Sequence, residues 1–300
     1  MARIGVLVHA KINLGLAVVA RRSDGYHEID TIYQTVSLTD TLELRALPGG
    51  AEISVAAAGE RVPLDRSNLA WRAAEAVIER TGSPGVSIEL AKRIPVAAGL
   101  AGGSADAAGV VVGMNELFSL GLGLGDLRDV ALSIGSDVPF MIGGGTARGR
   151  GRGEVLEQLR PLRGAWFVLV NPGREVAAAE AYRRARIGLT GSQELIRLNR
   201  SAIQDGDVPG LARNLRNDLE AGVVLSCPDV AAVKARLEGL GALGTVVSGS
   251  GPTVIGVTDS EESATEIATR LSGRDWRIHV VEPIDAGCRI THRESGRASA

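Results

Sequence analysis

Between Arg3 and about Ser54 the apolar residues fall in short runs, IGVLVHAKINLGLAVV, TIYQTVSL and TLELRA, which are β-branched or alternate with polar positions and are separated by polar breaks. That pattern predicts strands, so the chain opens as a sheet. Ser67 and Asn68 then precede LAWRAAEAVIERTG, whose helical apolar spacing and closing Gly82 predict a helix with an N-cap and a C′ glycine. VSIEL predicts one more strand, and the Gly/Ala-rich stretch PVAAGLAGGSADAAG follows it. Ser104 is expected to cap a helix, because Ala107, Val110, Val111, Met114, Leu117 and Phe118 recur three and four apart. A shorter helix from Leu127 to Ile134 ends at Gly135, FMIGGGTARGRGRGE has the glycines of a hairpin, and WFVLVNP reads as a buried strand.

From about Val176 the pattern turns helical through AAAEAYRRA, QELIRLNRSAI, VPGLARNL and PDVAAVKARLEGLG. TVVSGSGPTVIGVT then sets two strands around a Gly-Ser turn, and ESATEIATRLS and WRIHVVEPI add a helix and a strand. Strands precede helices instead of alternating with them as βαβ units, so the fold class is α+β. Two domains are expected, residues 1–161 and 162–286, with 287–300 as a loose, aperiodic tail.

A chain of 300 residues with 45% hydrophobic content is long enough to bury one large or two medium cores. The formal net charge of −2 and the scarcity of aromatic rings leave no basic footprint and few stacking platforms, so a nucleic acid partner is not expected. Cys227 and Cys288 stand far apart and outside any Cys/His cluster, which argues against a disulfide framework or structural zinc. Arg3, His9, Lys11 and Asn13 interrupt the apolar N-terminus, and the expectation is a cytoplasmic protein without membrane attachment.

Candidate chemistry gathers at a few places. Backbone N–H groups of a small-residue loop entering a helix make an anion-binding concavity. PVAAGLAGGSADAAG fits that description, yet it lacks both a Walker lysine and a GxGxxG spacing; a packing turn needing clearance is the competing reading. Lys11 and Asn13 share one face of a strand and either solvate an edge or aim into a cleft. After the turn Ser23-Asp24-Gly25, Tyr26 and His27 offer a stacking ring and a hydrogen-bonding imidazole, or else a solvated hairpin. Asp137 in GSDVP is a helix cap or a general base, and Ser248–Thr253, SGSGPT, is a second small-residue turn. Arg148, Arg150 and Arg152 in RGRGRG are equally consistent with a basic rim near the anion site of that Gly/Ala loop and with a solvated hairpin.

Taken in order, Lys11-Ile-Asn13, PVAAGLAGGSADAA and SGSGPT resemble the three motifs of the GHMP small-molecule kinase superfamily, over nearly the whole chain. The middle motif there reads close to P-x-G-x-G-L-G-S/G-S-S/A, so Ala97 and Ala101 replace two customary glycines and would be strained by a positive φ. RRSDGYHEIDTIYQTVSL and GSDVPF are similar to the branch of the superfamily that phosphorylates a cytidine diphosphate-linked methylerythritol in the non-mevalonate route to isoprenoid precursors.

The resemblance implies a two-domain GHMP kinase fold: an N-terminal domain of mixed sheet and helices, a C-terminal α/β-plait-like domain, and an active site in the cleft between them. It implies transfer of the ATP γ-phosphoryl to the 2-hydroxyl of a small-molecule substrate, with Mg²⁺, in a monomer or homodimer. Residue by residue, Asp137 would take the hydroxyl proton and Lys11 would orient it and stabilise charge. Pro95, Val96, Ala97, Ala98, Gly99, Leu100, Ala101, Gly102, Gly103, Ser104 and Ala105 would hold the ATP phosphates, with Ser104 also a metal ligand. Tyr26 and His27 would bind cytosine, Asn13 would lie beside the methylerythritol phosphate, and Tyr182 would stack as the second ring. Homoserine or mevalonate kinases of the same fold, or a silent nucleotide-binding relative, are the rivals. Asp24-Gly-Tyr-His27 speaks against the first, and the pair Lys11 and Asp137 against the second.

Overall fold

In a computed structural model, which describes residues 2–185, 187–188, 191–272 and 275–294, the opening apolar runs join into two long strands. β1 (Arg3–Arg21) and β2 (His27–Ala46) pair antiparallel along their whole lengths. Thr39 and Asp40, the polar break between TIYQTVSL and TLELRA, do not interrupt β2, and the register of the pair shifts at His9/Ala10, Asn13/Gly15 and Val18/Ala20 of β1. Such bulges bend and twist a ribbon that would otherwise be too long to stay regular.

The chain continues through β3 (Ile53–Gly59), α1 (Leu69–Thr81), β4 (Val86–Lys92), α2 (Gly102–Leu117), α3 (Leu124–Ile134), α4 (Val138–Gly143), β5 (Thr146–Gly151) and β6 (Val155–Gln158). After these come β7 (Trp166–Asn171), α5 (Ala178–Arg183), α6 (Ser192–Asp205), α7 (Val208–Arg213), α8 (Glu220–Ser226) and α9 (Asp229–Gly239). β8 (Gly244–Val247), β9 (Val254–Thr258), α10 (Glu261–Leu271), β10 (Arg277–Val281) and β11 (Cys288–Glu294) complete it. α1 starts and stops as its sequence requires: Asn68 accepts a hydrogen bond from the N–H of Ala70, and Gly82 closes the helix at φ 69°.

One sheet runs β11-β1-β2-β4-β3, with β5 and β6 added beside β2. On the edge away from β1, β2 serves two further neighbours, because Ile29–Gln34 pair with β5 and Thr41–Ala46 pair with β4. α2 lies directly on this sheet. A Cβ on Gly109 would come within 2.6 Å of Val8 Cγ1, and one on Gly113 within 2.3 Å of Leu44 Cδ1. The small residues late in the Gly/Ala stretch therefore serve helix-to-sheet packing. The second sheet, β10-β7-β9-β8, is antiparallel throughout. Leu16 and Val18 from the end of β1 enter its core beside Val168, Val170 and Val223, so the two layers are joined across the first strand.

Four expectations need correction. The segment from Cys288 to Glu294 is not loose: it forms β11 on the free edge of β1, an edge that would otherwise expose unpaired backbone, while residues 295–300 lie outside the described residues. FMIG is the helix α4, not hairpin, with Pro139 in its first turn, where a missing N–H costs nothing. α8 lies in a stretch left without a predicted element. Finally, Ser104 does not cap α2; the helix begins at Gly102, and Ala101 holds the cap position in a left-handed conformation, φ 54° and ψ 31°, without a side-chain hydrogen bond. Among the described residues no helix is long and apolar enough to cross a membrane.

Both alanines that replace glycines are left-handed, Ala97 at φ 50° and Ala101 at φ 54°. That conformation costs a non-glycine residue about 1–2 kcal/mol, and glycine loses about 0.5–1 kcal/mol through its freer unfolded chain. Relief of strain wins. Ala97→Gly with Ala101→Gly is expected to raise stability by about 1 kcal/mol, read as a higher urea midpoint at unchanged slope. A lower midpoint would contradict the strain.

Candidate active site

Alternation along β1 puts Lys11 and Asn13 on one face, and their neighbours fix them there. Asn13 donates through Nδ2 to Thr31 Oγ1 at 2.8 Å, and that hydroxyl donates to the carbonyl of Gly15 at 2.6 Å. The amide is thereby turned so that its oxygen accepts from Lys11 Nζ at 2.6 Å. Lys11 is buried, its ammonium 3.8 Å from Asp137 Oδ2 and 5.4 Å from the centre of the Tyr33 ring. Burial pushes the Lys11 pKa down, and the charge of Asp137 works to keep the proton on.

Asp137 sits at the cap position of α4 but its side chain makes no capping bond. Its carboxylate is engaged elsewhere, accepting from the Tyr33 hydroxyl at 3.2 Å while facing Lys11. Tyr33 is packed against Phe140, ring centres 4.8 Å apart; burial first, and the charge of Asp137 second, hold its pKa well above the usual phenol value. The capping alternative for Asp137 is thus replaced by a carboxylate steadied by a phenol and a lysine.

The Gly/Ala loop is held from two directions. The N–H of Lys11 donates to the carbonyl of Leu100 at 3.1 Å. From the C-terminal turn, Ser248 Oγ donates to the carbonyl of Gly99 at 2.8 Å and the N–H of Thr253 to that of Ala98 at 3.3 Å. Gly99, at φ 76°, has no room for a side chain, since a Cβ would lie 2.1 Å from the carbonyl oxygen of Ser248. The three separated motifs therefore meet at one loop, which leads into the 16-residue helix α2. Its first N–H groups and dipole favour an anion.

Beneath that loop lies a buried ionic cluster that the sequence reading missed. Lys92 donates to Asp40 at 2.5 Å and to Asp106 at 2.8 Å, and Asp40 also accepts from the N–H groups of Arg93 and Ile94 at 2.5 and 2.9 Å. The one available signal was a lysine closing the apolar strand VSIELAK. Burial opposes the charge on Lys92, but the two carboxylates outweigh it and raise its pKa. Asp40 takes most of the donors, whereas Asp106 Oδ1 has no partner among the described residues. Burial accordingly raises the Asp106 pKa to about 7 despite the pull of Lys92.

Two cavities meet here. One, of about 510 Å³, runs along the loop past Asn68, Leu69 and Pro95 to Lys11 and Asp137. The other, of about 700 Å³, is bounded by Tyr26, His27, Arg152, Ala178 and Tyr182. Ser104, Asp137 and Tyr182 line both. His27 is buried with Nε2 unpartnered among the described residues, and its ring lies 5.4 Å from that of Tyr182 at 26°. Tyr26 is 53% exposed and carries the guanidinium of Arg152 over its ring, 4.8 Å from the centre. All the candidate substrate residues thus reach the joined cavities, although Tyr182 stacks on His27 and Tyr26 on an arginine.

Among the described residues no group of three or more His, Cys, Asp or Glu side chains is disposed to hold a metal ion. Ser104, Asp137 and Tyr182 are the residues with side-chain oxygens common to both cavities. A divalent cation at this place would take most of its oxygens from a bound phosphate and from water.

Comparison with known proteins gives a consistent picture. Residues 68–145 match the family GHMP kinases N terminal domain, and residues 199–277 match GHMP kinases C terminal. A 4-diphosphocytidyl-2-C-methyl-D-erythritol kinase of Moorella thermoacetica is 47% identical over 268 residues, 88% of this chain and 93% of that one. Its counterpart in Pelotomaculum thermopropionicum is 44% identical over 92% of this chain and 96% of its own. A crystal structure of 4-(cytidine 5'-diphospho)-2C-methyl-D-erythritol kinase superposes with a TM-score of 0.73 at 34% identity, covering 94% of this chain and 99% of that one. Homoserine kinase from Cytophaga hutchinsonii superposes with a TM-score of 0.80 at 21% identity, covering 96% and 97%, a likeness of fold alone.

The buried cluster has a pH signature. Between the ordinary carboxyl value of 3.8 and about 7 the folded state retains a proton on Asp106 that the unfolded chain releases, so this group's contribution to stability falls as pH rises through that window. Asp106→Asn removes the loss. Measured against the parent by urea midpoints, the variant is expected to gain more at about pH 8 than at about pH 5. A difference independent of pH would mean that Asp106 is ionised throughout.

Proposed function

The chain belongs to the 4-diphosphocytidyl-2-C-methyl-D-erythritol kinases, within the GHMP kinases, and from that membership we propose that it transfers the ATP γ-phosphoryl to the 2-hydroxyl of this substrate with Asp137 as general base. It is an ATP-dependent small-molecule kinase of the non-mevalonate route to isoprenoid precursors. The observation that carries the assignment of the base is the position of Asp137. It is the carboxylate where the two cavities join, free of any capping bond, with Lys11 and Tyr33 on its two oxygens.

In this reading residues 1–161 and 162–286 are the two domains, and the loop from Pro95 to Ala105 takes the triphosphate on its backbone N–H groups and the start of α2. Ser104 would help to hold a Mg²⁺ ion bound with the nucleotide, which would supply neutralisation of phosphate charge. The hydroxyl proton passes to Asp137 as the oxygen forms its bond to the γ-phosphorus, and the bond from that phosphorus to the leaving ADP oxygen breaks. Lys11, 3.8 Å from Asp137, then faces a neutral acid and is left to balance the charge of the transferring group. Phosphoryl transfer asks for little more than such positioning and charge stabilisation. Cytosine is read by the unpartnered Nε2 of His27 and by the rings of Tyr26 and Tyr182, with Asn13 beside the methylerythritol end.

ADP release measured with the cytidyl substrate, homoserine and mevalonate tests the assignment, and turnover with the first alone is the expected result. Asp137→Asn should lower kcat by about 10²-fold or more, the scale of a lost general base, while ATP binding stays nearly intact. An undiminished kcat would sink the role given to Asp137. Tyr26→Ala should weaken the cytidyl substrate by about 1–3 kcal/mol, as expected for one stacked base, seen in KM; a constant KM would remove Tyr26 from the cytosine site.

A further inference from the structure

The repeat RGRGRG is divided by the structure into three different environments. Arg148, on β5, makes a bidentate pair with Asp30 of β2 at 2.8 and 2.7 Å, a cross-strand brace. Arg150 is exposed. Arg152 lies beyond the strand, in the turn between β5 and β6, and faces the larger cavity.

Its two glycine neighbours hold it there. Gly151 and Gly153 have φ values of 73° and 111°, and a Cβ on Gly153 would lie 2.1 Å from the Tyr33 hydroxyl. The turn that carries Arg152 is thus seated on the same ring that holds Asp137. The guanidinium carbon lies over the Tyr26 ring, 4.8 Å from its centre, and Nε stands 3.9 Å from Glu154. An arginine held over a ring by cation–π attraction keeps N–H donors for other partners.

Charge around this cavity is one-sided. Arg21, Arg152 and Arg183 line it, against Asp137 as the carboxylate of the lining, and Arg183 is already paired with Glu180. A substrate whose base lies at Tyr26 and His27 and whose hydroxyl lies at Asp137 must pass its diphosphate between those two places. Arg152 borders that path.

We propose that Arg152 recognises the diphosphate of the cytidyl substrate, stacked on Tyr26 so that the ring reads the base while the guanidinium edge reads the phosphates. The inference rests on the substrate assigned above. It gives a binding role to one arginine of the repeat, and it makes base and diphosphate recognition parts of a single stacked pair.

Calorimetric titration of cytidine and CDP onto the parent, Arg152→Gln and Arg152→Lys separates this role from mere support of the ring. With the diphosphate read by Arg152, Arg152→Gln should lose about tenfold in affinity for CDP, the scale of a charge-assisted hydrogen bond, and nearly none for cytidine. Arg152→Lys should recover part of the loss, and the KM for the cytidyl substrate should rise while kcat and ATP affinity hold. ATP affinity also reports that the variants are folded. Equal weakening of cytidine and CDP would show Arg152 to be only a prop for Tyr26, and unchanged affinity for both would show no role; either overturns the proposal. If the parent binds neither compound and does not turn over the cytidyl substrate, the substrate assignment itself has failed, and the role of Arg152 falls with it.

Discussion

Everything at this site depends on one small piece of backbone, Ala98 to Leu100, whose carbonyls are occupied from both sides. The first strand donates to Leu100, and the turn between β8 and β9 donates to Gly99 and Ala98. Buried carbonyls need partners, and here the partners come from segments some ninety residues before and about 150 residues after the loop in sequence. The loop can therefore adopt its shape only when both sheets are folded and docked. This also explains why two alanines tolerate a left-handed backbone: the surrounding hydrogen bonds dictate the conformation, and the residues comply.

The second constraint is electrostatic. Two lysines are buried within reach of the loop cavity, and each is neutralised differently. Lys92 is bound by two carboxylates and stays a structural cation under α2. Lys11 faces a single carboxylate at a looser 3.8 Å, with an amide oxygen closer. A buried charge so lightly compensated is available to a developing negative charge, and a saturated one is not. The same residue type is thereby saturated in one place and left with spare charge in the other.

Much of this was readable in the chain because its cues are local. Asn68 and Gly82 mark the ends of α1, and the alternation Lys11-Ile12-Asn13 puts two polar groups on one face. What escaped was non-local. Nothing near Asp40 or Asp106 announces that both converge on Lys92 from different elements, and Tyr33 looks like any aromatic in a strand until Asp137 is brought to it. Ser104 misled for a different reason: a serine before an apolar run usually caps, but here the backbone nest, not a side chain, begins the helix. β11 carries few apolar residues, so its pairing is decided by the bare edge of β1.

β2 acts as a measuring rod for the whole site. His27 at its start lines the larger cavity, Thr31 and Tyr33 fix Asn13 and Asp137, and Asp40 further along secures Lys92 under the Gly/Ala loop. In an extended strand these stations are spaced at roughly 3.3 Å per residue and alternate between faces. Between Val36 and Thr39 that alternation is interrupted, because β2 advances three residues there while β1 advances one. The bulge thus lies between the stretch of β2 that faces Lys11 and Asp137 and the residue that holds Lys92, so the two halves of the cleft are set by one strand yet offset by its irregularity.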